Sequence, residues 1–158
     1  MTSLPIINQP VHRSAALLDH LARRMRLRAE TVLAPLGLRP RHLVALTVLR
    51  DRGGSTQQAL AATLEMDGTN VVGLLNDLEA GELVVRRRSP QDRRRHVVEL
   101  TDKGLRQLAK AEFRLEAAED DVLRALDDDQ REALFQLLQL AVGGETGWVD
   151  AVQDEPCR

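Results

Sequence analysis

Apolar side chains recur every three or four residues along the first part of the chain, which is the period of an amphipathic helix. Between residue 12 and about residue 34 they are Leu18, Leu21, Met25, Ala29 and Val32. The Pro-Leu-Gly sequence at 35–37 ends this helix, because both Pro and Gly interrupt helical structure. Pro40 suits the first turn of a second helix, which we predict to extend to about Asp51.

Two shorter helical patterns follow the glycine pair at 53–54. Ser55 and Gln58 have the spacing of a capping box, in which each side chain bonds the other's free backbone N–H at the start of a helix. Asp67 is a favourable N-cap for the next helix, which ends near Gly81. The apolar face of that helix consists of Val71, Leu74, Leu75 and Leu78. Two short helices joined by a tight turn predict a helix-turn-helix unit.

Two short apolar runs, residues 83–86 and 96–100, are typical of β-strands. Residues 89–95 lie between them and contain Ser, Pro and Asp, which favour turns. This segment is predicted to be a β-hairpin, and we call residues 89–95 the wing tip.

The last part of the chain returns to the helical period. Thr101 is placed to cap a long helix whose apolar stripe reaches Leu126, and the acids at 127–129 suit the start of a final helix that stops at Gly143. The predicted fold is therefore mainly α with a small β-hairpin wing, which forms a winged helix-turn-helix lobe.

Composition excludes several classes of protein. The chain is 43% hydrophobic and 29% charged, as in ordinary globular proteins. No apolar run approaches the roughly 20 residues of a membrane span, and residues 1–11 lack the order of a secretory signal, so a cytoplasmic location without membrane contact is expected. The single cysteine, Cys157, excludes an intrachain disulfide. No cofactor is predicted.

Charge is distributed very unevenly, although the formal net charge is only −2. Six arginines and one acid lie between Arg86 and Arg95, whereas eight acids and two arginines lie between Glu116 and Glu132. Arginines gathered around one turn repel each other, and a polyanion relieves that repulsion. A solvated charged loop is the alternative interpretation.

The helix from 67 to 81 has a polar outer face suited to the major groove. If its apolar face packs in the core, Thr69, Gly73 and Asn76 point outwards, with Asn70 and Val72 at the flanks. Asn can bond adenine with two hydrogen bonds, and Val can contact a thymine methyl group. A Gly within a helix lowers stability by about 1 kcal/mol relative to Ala. Gly73 is explained either by a close approach of the helix backbone to DNA or by a sequence change that the fold tolerates.

That helix contains no Lys or Arg, so it cannot supply the phosphate neutralisation on which DNA affinity depends. The arginines of the hairpin must do so, and a tip beside a major-groove helix reaches the adjacent minor groove. The predicted contacts are Arg86, Arg88, Arg93, Arg94 and Arg95.

Four short motifs surround the wing: Leu78-Glu79, Leu83-Val84-Val85-Arg86, Ser89-Pro90-Gln91-Asp92-Arg93-Arg94 and Leu100-Thr101-Asp102-Lys103-Gly104. Together with the order of the helices they resemble the MarR (multiple antibiotic resistance regulator) family. The resemblance implies a homodimeric repressor that offers one lobe per subunit to a palindromic site on double-stranded DNA. It also implies that Asp92 orients the wing and that Arg94 enters the minor groove.

The resemblance also implies a domain organisation and an effector. We expect an N-terminal arm (1–11), a helical dimerisation region (12–38 and 102–142), a DNA-binding lobe (39–101) and a C-terminal tail (143–158). A small phenolic or lipophilic molecule is expected to bind between lobe and dimer helices and release the DNA. The candidate effector contacts are Arg13, His20 and His42.

The sequence departs from the family pattern at three places. Val72-Gly73 stands where the family commonly has Thr-Arg, and Asp77 stands where a basic residue is common. Glu82 occupies the usual position of a turn glycine, with Gly81 one place earlier. We therefore expect unusual operator preference.

Other functions have weaker support in the sequence. There is no Tyr, the lone Cys is terminal, and no catalytic arrangement of Ser, His and Asp is evident, so an enzyme is not expected. The four histidines are scattered and predict no metal site. A winged-helix protein-interaction module and a metal-responsive regulator remain as alternatives.

Overall fold

The computed structural model describes residues 14–143, which form six α-helices and one three-stranded antiparallel sheet. The helices are α1 (Ser14–Leu33), α2 (Pro40–Arg52), α3 (Gln57–Thr63), α4 (Gly68–Ala80), α5 (Asp102–Val122) and α6 (Asp128–Ala141). The strands are β1 (Ser55–Thr56), β2 (Val84–Arg88) and β3 (His96–Leu100), in the order β1-β3-β2. The predicted winged-helix fold is confirmed. The predictions about the N-terminal arm, Arg13 and Cys157 concern residues outside the described range.

The core of the lobe lies around α2, whose residues 42–49 are all buried. Helices α3, α4 and α5 and the sheet pack around it. The large side chains that are fully buried include Leu43, Leu46, Leu60, Leu75 and Leu108. Among residues 14–143, no single helix is long and apolar enough to cross a membrane; α1 and α2 satisfy that length and composition only as a pair, across a bend of 76°.

Strand β1 was not predicted, and the capping box expected at Ser55 and Gln58 is wrong. Ser55 pairs with Val98 at the edge of the sheet, so its backbone is extended. Thr56 is the N-cap of α3 instead, and its hydroxyl oxygen accepts the N–H of Ala59 at 3.1 Å. Pairing with a strand distant in the sequence therefore overrides a favourable local capping pattern.

Helix α5 is shorter than predicted. It ends at Val122 rather than Leu126, and the chain turns before Asp127 caps α6 with its carboxylate on the N–H of Gln130. The predicted cap of α5 is confirmed, because the Thr101 hydroxyl oxygen accepts the N–H of Gly104 at 2.9 Å.

The junction between wing and α5 is closely packed. The Thr101 N–H donates to the Leu83 carbonyl oxygen at 3.0 Å, and the Thr101 hydroxyl donates to the Glu82 carbonyl oxygen at 2.7 Å. A methyl group added at Gly104 would overlap the Leu83 carbonyl oxygen and lie 2.7 Å from Leu100 Cδ1. Only Gly at this position lets α5 approach β2 so closely.

Glu82 takes the left-handed conformation that the turn after α4 requires. Its φ is 60°, whereas that of Gly81 is −77°. A non-glycine residue in this region is strained by roughly 1–2 kcal/mol. The Glu82 carboxylate lies 2.8 Å from Lys103 Nζ, and this contact lowers the pKa of Glu82. Glu82, and not Gly81, therefore has the left-handed conformation in this turn.

His42 joins α2 to α4 from a buried position. Its Nδ1 accepts the Arg39 N–H at 3.1 Å, so the proton of the neutral ring is on Nε2, which donates to Asp77 Oδ2 at 3.4 Å. Burial lowers the pKa of His42 below its ordinary value of 6.5, because desolvation outweighs the opposing hydrogen bond and charge of Asp77.

Substituting alanine for two helical glycines, Gly104 and Gly73, should change the free energy of unfolding in opposite directions. Gly104→Ala should lower the free energy of unfolding by about 1–3 kcal/mol through overpacking. Gly73→Ala should raise it by up to about 1 kcal/mol, since a methyl group there meets open space. Urea unfolding at one fixed protein concentration measures both, and equal changes of the same sign would contradict the packing at the junction.

The burial of His42 predicts a pH-dependent stability. The unfolded state binds a proton as the pH falls through about 6.5, before the folded state does, so the free energy of unfolding should decrease from there towards the lower folded-state pKa. His42→Asn retains an acceptor for the Arg39 N–H and should show a smaller decrease between about pH 7.5 and about pH 5.5. Urea unfolding at several pH values measures this, with His96→Asn as the exposed control; equal pH dependence of wild type and His42→Asn would refute the effect.

Candidate nucleic-acid interface

Helix α4 has the two faces that its sequence predicts. Val71, Leu74, Leu75 and Leu78 are buried, whereas Thr69, Asn70, Gly73 and Asn76 are exposed and Val72 is half-buried. Asp67 caps the helix, as predicted. The outward placement of the five candidate base contacts is therefore observed, and their contacts with DNA stay a prediction.

Both asparagines on this outer face are held by charged neighbours. Asn70 Nδ2 donates to Asp67 Oδ2 at 2.7 Å, and the Asn70 backbone N–H donates to Asp67 Oδ1 at 2.8 Å. Asn76 Oδ1 accepts from Arg86 Nη2 at 2.8 Å. Neither amide rotates freely in the isolated lobe.

The wing tip is built on Ser89, which sequence reasoning did not single out. Ser89 is 7% exposed, and its N–H donates to the Arg95 carbonyl oxygen at 2.8 Å to close the hairpin. Its hydroxyl oxygen accepts the backbone N–H groups of Gln91 at 3.3 Å and Asp92 at 3.4 Å. The Ser-Pro sequence was the available signal, since Ser commonly bonds the backbone of a turn in this way.

Asp92 holds the second half of the turn. Its Oδ1 accepts the Arg94 N–H at 2.9 Å, and its carbonyl oxygen accepts the Arg95 N–H at 2.9 Å. Its other carboxylate oxygen lies 3.6 Å from Arg95 Nε. These contacts stabilise the turn; that Asp92 orients the wing for DNA, as the family resemblance implies, stays a prediction.

The structure sorts the arginines of the hairpin into two groups. Arg86 bonds α4, Arg87 lies 3.3 Å from Glu99 on the paired strand, and Arg95 lies beside the carboxylate of Asp92. The side chains of the other three have neither an ion pair nor a hydrogen bond to any part of the chain that the structure describes: Arg88, Arg93 and Arg94. All three are exposed. The free positive charge is thus concentrated at one end of the hairpin.

The acidic segment lies on α5, α6 and the turn between them, not on the wing. Two of its acids are paired with arginines: Asp121 with Arg28 of α1 at 3.2 Å, and Asp120 with Arg131 of α6. Since the described acids of this segment leave the wing-tip arginines unneutralised, the lobe retains a cationic end.

The two candidate effector residues that the structure describes have different surroundings. His20 is exposed on α1, whereas His42 is buried and uses both ring nitrogens within the lobe. Arg13 lies outside the described residues. Between residues 14 and 143, no three His, Cys, Asp or Glu side chains are grouped so that they could hold a metal ion.

Comparison with known proteins gives one consistent result. The sequence model of the MarR family matches residues 36–95. A protein of Thauera aromatica described as a transcriptional regulatory protein for the hcr operon is 34% identical over 111 residues, 70% of this chain and 67% of that protein. The transcriptional repressor NicR of Pseudomonas putida is 32% identical over 107 residues, 65% of this chain and 67% of NicR.

The structural comparison agrees. The repressor CouR of Rhodococcus jostii, solved with a 23-mer DNA duplex, has a TM-score of 0.71 and 31% identity, covering 89% of this chain and 99% of CouR. The fold, the wing and the sequence matches lead to the same conclusion: the chain belongs to the MarR family and is a transcriptional regulator.

Proposed function

We propose that the chain is a cytoplasmic repressor, without catalytic activity, that binds a palindromic operator as a homodimer. Helix α4 lies in the major groove and the wing tip in the adjacent minor groove. The observation that supports this most strongly is the exposed, unpaired state of Arg93 and Arg94 on a turn that Ser89 and Asp92 hold rigid. A narrow minor groove has the negative potential that attracts such side chains.

Affinity and base selection then belong to different elements. No Lys or Arg lies on α4, so its contacts discriminate between bases without neutralising phosphates. The arginines at the end of the hairpin neutralise phosphates and supply most of the salt-dependent affinity. This division assigns DNA binding to residues 39–101.

Dimerisation is supported by apolar surface that a single chain leaves uncovered. No residue of α6 is buried in the isolated subunit. The large hydrophobic side chains exposed on α1, α5 and α6 include Leu17, Leu27, Phe113, Phe135, Leu137 and Leu140. Burying one such side chain contributes roughly 1.5–3 kcal/mol, so a second copy that covers these helices stabilises both subunits. The dimerisation region is then 12–38 and 102–142.

The effector is proposed to be a phenolic or lipophilic small molecule held between the DNA-binding lobe and the dimer helices. CouR has also been solved with p-coumaroyl-CoA, which supports this class of ligand. His20 and Arg13 are candidate contacts. His42 can take part only if a ligand displaces its hydrogen bond to Asp77.

Removing one wing-tip arginine should weaken operator binding and reduce its salt dependence. For Arg94→Ala we expect a loss of about 1–3 kcal/mol in binding free energy per subunit and, because a dimer carries two wings, a salt slope smaller by about two. The operator is first selected from a random duplex pool, and affinity is then measured by fluorescence anisotropy at several salt concentrations.

Arg87→Ala is the matched control, because Arg87 belongs to the same hairpin but is paired with Glu99. It should have a clearly smaller effect on both quantities. If Arg94→Ala and Arg87→Ala lose equal affinity, the wing tip is not the principal DNA contact. If the wild type selects no sequence at all, a protein-interaction module becomes the better interpretation.

The exposed apolar face of α6 predicts that a charge placed there disrupts the dimer. Leu140 is 77% exposed in the subunit. The Leu140→Glu variant should be a monomer or form a far weaker dimer, because an unpaired carboxylate buried in the dimer interface is costly. Sedimentation velocity measures the change. Gln139→Glu adds the same charge one residue earlier and serves as the control; a Leu140→Glu protein that remains fully dimeric would place the interface elsewhere.

A further inference from the structure

We propose that Asn76 recognises a base edge that offers hydrogen-bond acceptors, guanine or thymine, and that Arg86 is the positioning residue that imposes this preference. The inference rests on the proposed function, since it assumes that α4 lies in the major groove. It departs from the pairing with adenine that an asparagine at this position suggests from sequence alone.

The orientation of the Asn76 amide follows from the chemistry of its neighbour. A guanidinium has only donors, so the amide atom that faces Arg86 Nη2 at 2.8 Å must be the oxygen. The NH₂ group of Asn76 therefore points away from Arg86. Because one partner is charged, this hydrogen bond is shorter and stronger than one between neutral groups.

Arg86 is well anchored for this task. Arg86 lies within β2 and pairs with Val98 of the central strand, and its side chain is only 24% exposed. Its Nε is buried without a hydrogen bond, 3.7 Å from the carboxylate of Glu79. Within the described part of the chain, the Asn76 oxygen is the only hydrogen-bond acceptor that the Arg86 guanidinium contacts.

Asn76 is well placed to read a base. It is exposed and lies two helical turns after Thr69 on the same side of α4, about 10 Å along the axis. A bidentate contact with adenine needs the amide oxygen to accept from N6 while the NH₂ group donates to N7. In this helix that oxygen is turned towards the wing, whereas two N–H donors remain to meet guanine N7 and O6 or thymine O4.

Asn70 provides an internal comparison, because its amide is fixed in the opposite sense. An ionised carboxylate only accepts, so the group that faces Asp67 Oδ2 at 2.7 Å must be the NH₂ of Asn70. Its oxygen points away from Asp67 and can accept from adenine N6 or cytosine N4. The two asparagines of α4 thus differ in the kind of base edge they can read, although their side chains are identical.

Selection of operators from a random duplex pool, followed by affinities for a panel of single-base variants, tests the proposal. The wild type should favour guanine or thymine on the order of tenfold at one symmetric pair of positions. Asn76→Ala should lose that preference while preferences elsewhere persist. Arg86→Met should shift the same position towards adenine, and Arg87→Met, the neighbour in the same strand, should not.

Arg86→Met could loosen the wing, so Asn76→Asp is the second variant. A carboxylate keeps the contact with Arg86 but has no donor, so the preference for guanine or thymine should disappear at that position while the unfolding midpoint is maintained. Repulsion between the added charge and the phosphates lowers affinity for every sequence. The carboxylate oxygens can still accept from adenine N6 or cytosine N4, so any preference that remains at this position should move to those bases.

The proposal is overturned if the position that Asn76→Ala relaxes favours adenine in the wild type, if Asn76→Ala relaxes no position, or if Arg86→Met and Asn76→Asp leave the wild-type preference intact. These outcomes all require selective binding by the wild type. The absence of any selected sequence for the wild type would instead contradict the proposed function itself.

Discussion

Unneutralised positive charge at one end of a rigid hairpin is the constraint around which the lobe is organised. The only acid within the wing tip, Asp92, binds the Arg94 N–H and lies beside the Arg95 guanidinium. Arg93 and Arg94 consequently have no acidic partner in the described chain, and their charges repel. Ser89 and Asp92 hold the turn closed against that repulsion. Folding thus fixes a cationic end, and binding to a polyanion relieves its repulsion.

The wing is connected rigidly to the rest of the subunit. On one side Arg86 joins it to α4 through Asn76, so the wing tip and the outer face of α4 keep a fixed relation. On the other side Thr101 and Gly104 fasten the start of α5 directly to Leu83, which precedes β2. Since α5 also carries exposed apolar residues proposed for the dimer interface, we expect a displacement of the dimer helices to move both DNA-binding elements together. This connection offers a physical route from an effector to the DNA.

Much of the fold was predictable from the sequence because the determining interactions are local. The caps at Asp67 and Thr101 act on residues three positions away, and the apolar face of α4 follows from its period alone. Strand β1 was missed because Ser55 pairs with Val98, far along the chain, against a favourable local capping pattern. The sequence predicted that the wing is a charged turn. It did not predict which arginines of the wing form ion pairs.

The arrangement of the outer face of α4 could not be predicted in the same way. Asn76 is held by Arg86, ten residues away, and Asp77 by His42, 35 residues away. Such contacts depend on how the strands and helices pack together, and neither partner's residue type specifies the other. The sequence therefore indicated which side chains face outwards, but not the direction in which their hydrogen-bonding groups point.

The most direct test is a crystal structure of the full chain bound to an operator selected from random DNA. We expect a dimer with α4 of each subunit in a major groove and the Arg93 or Arg94 guanidinium within hydrogen-bonding distance of the adjacent minor groove. A structure in which the wing tips lie against the acidic α5–α6 segments and leave the minor groove empty would contradict the central claim.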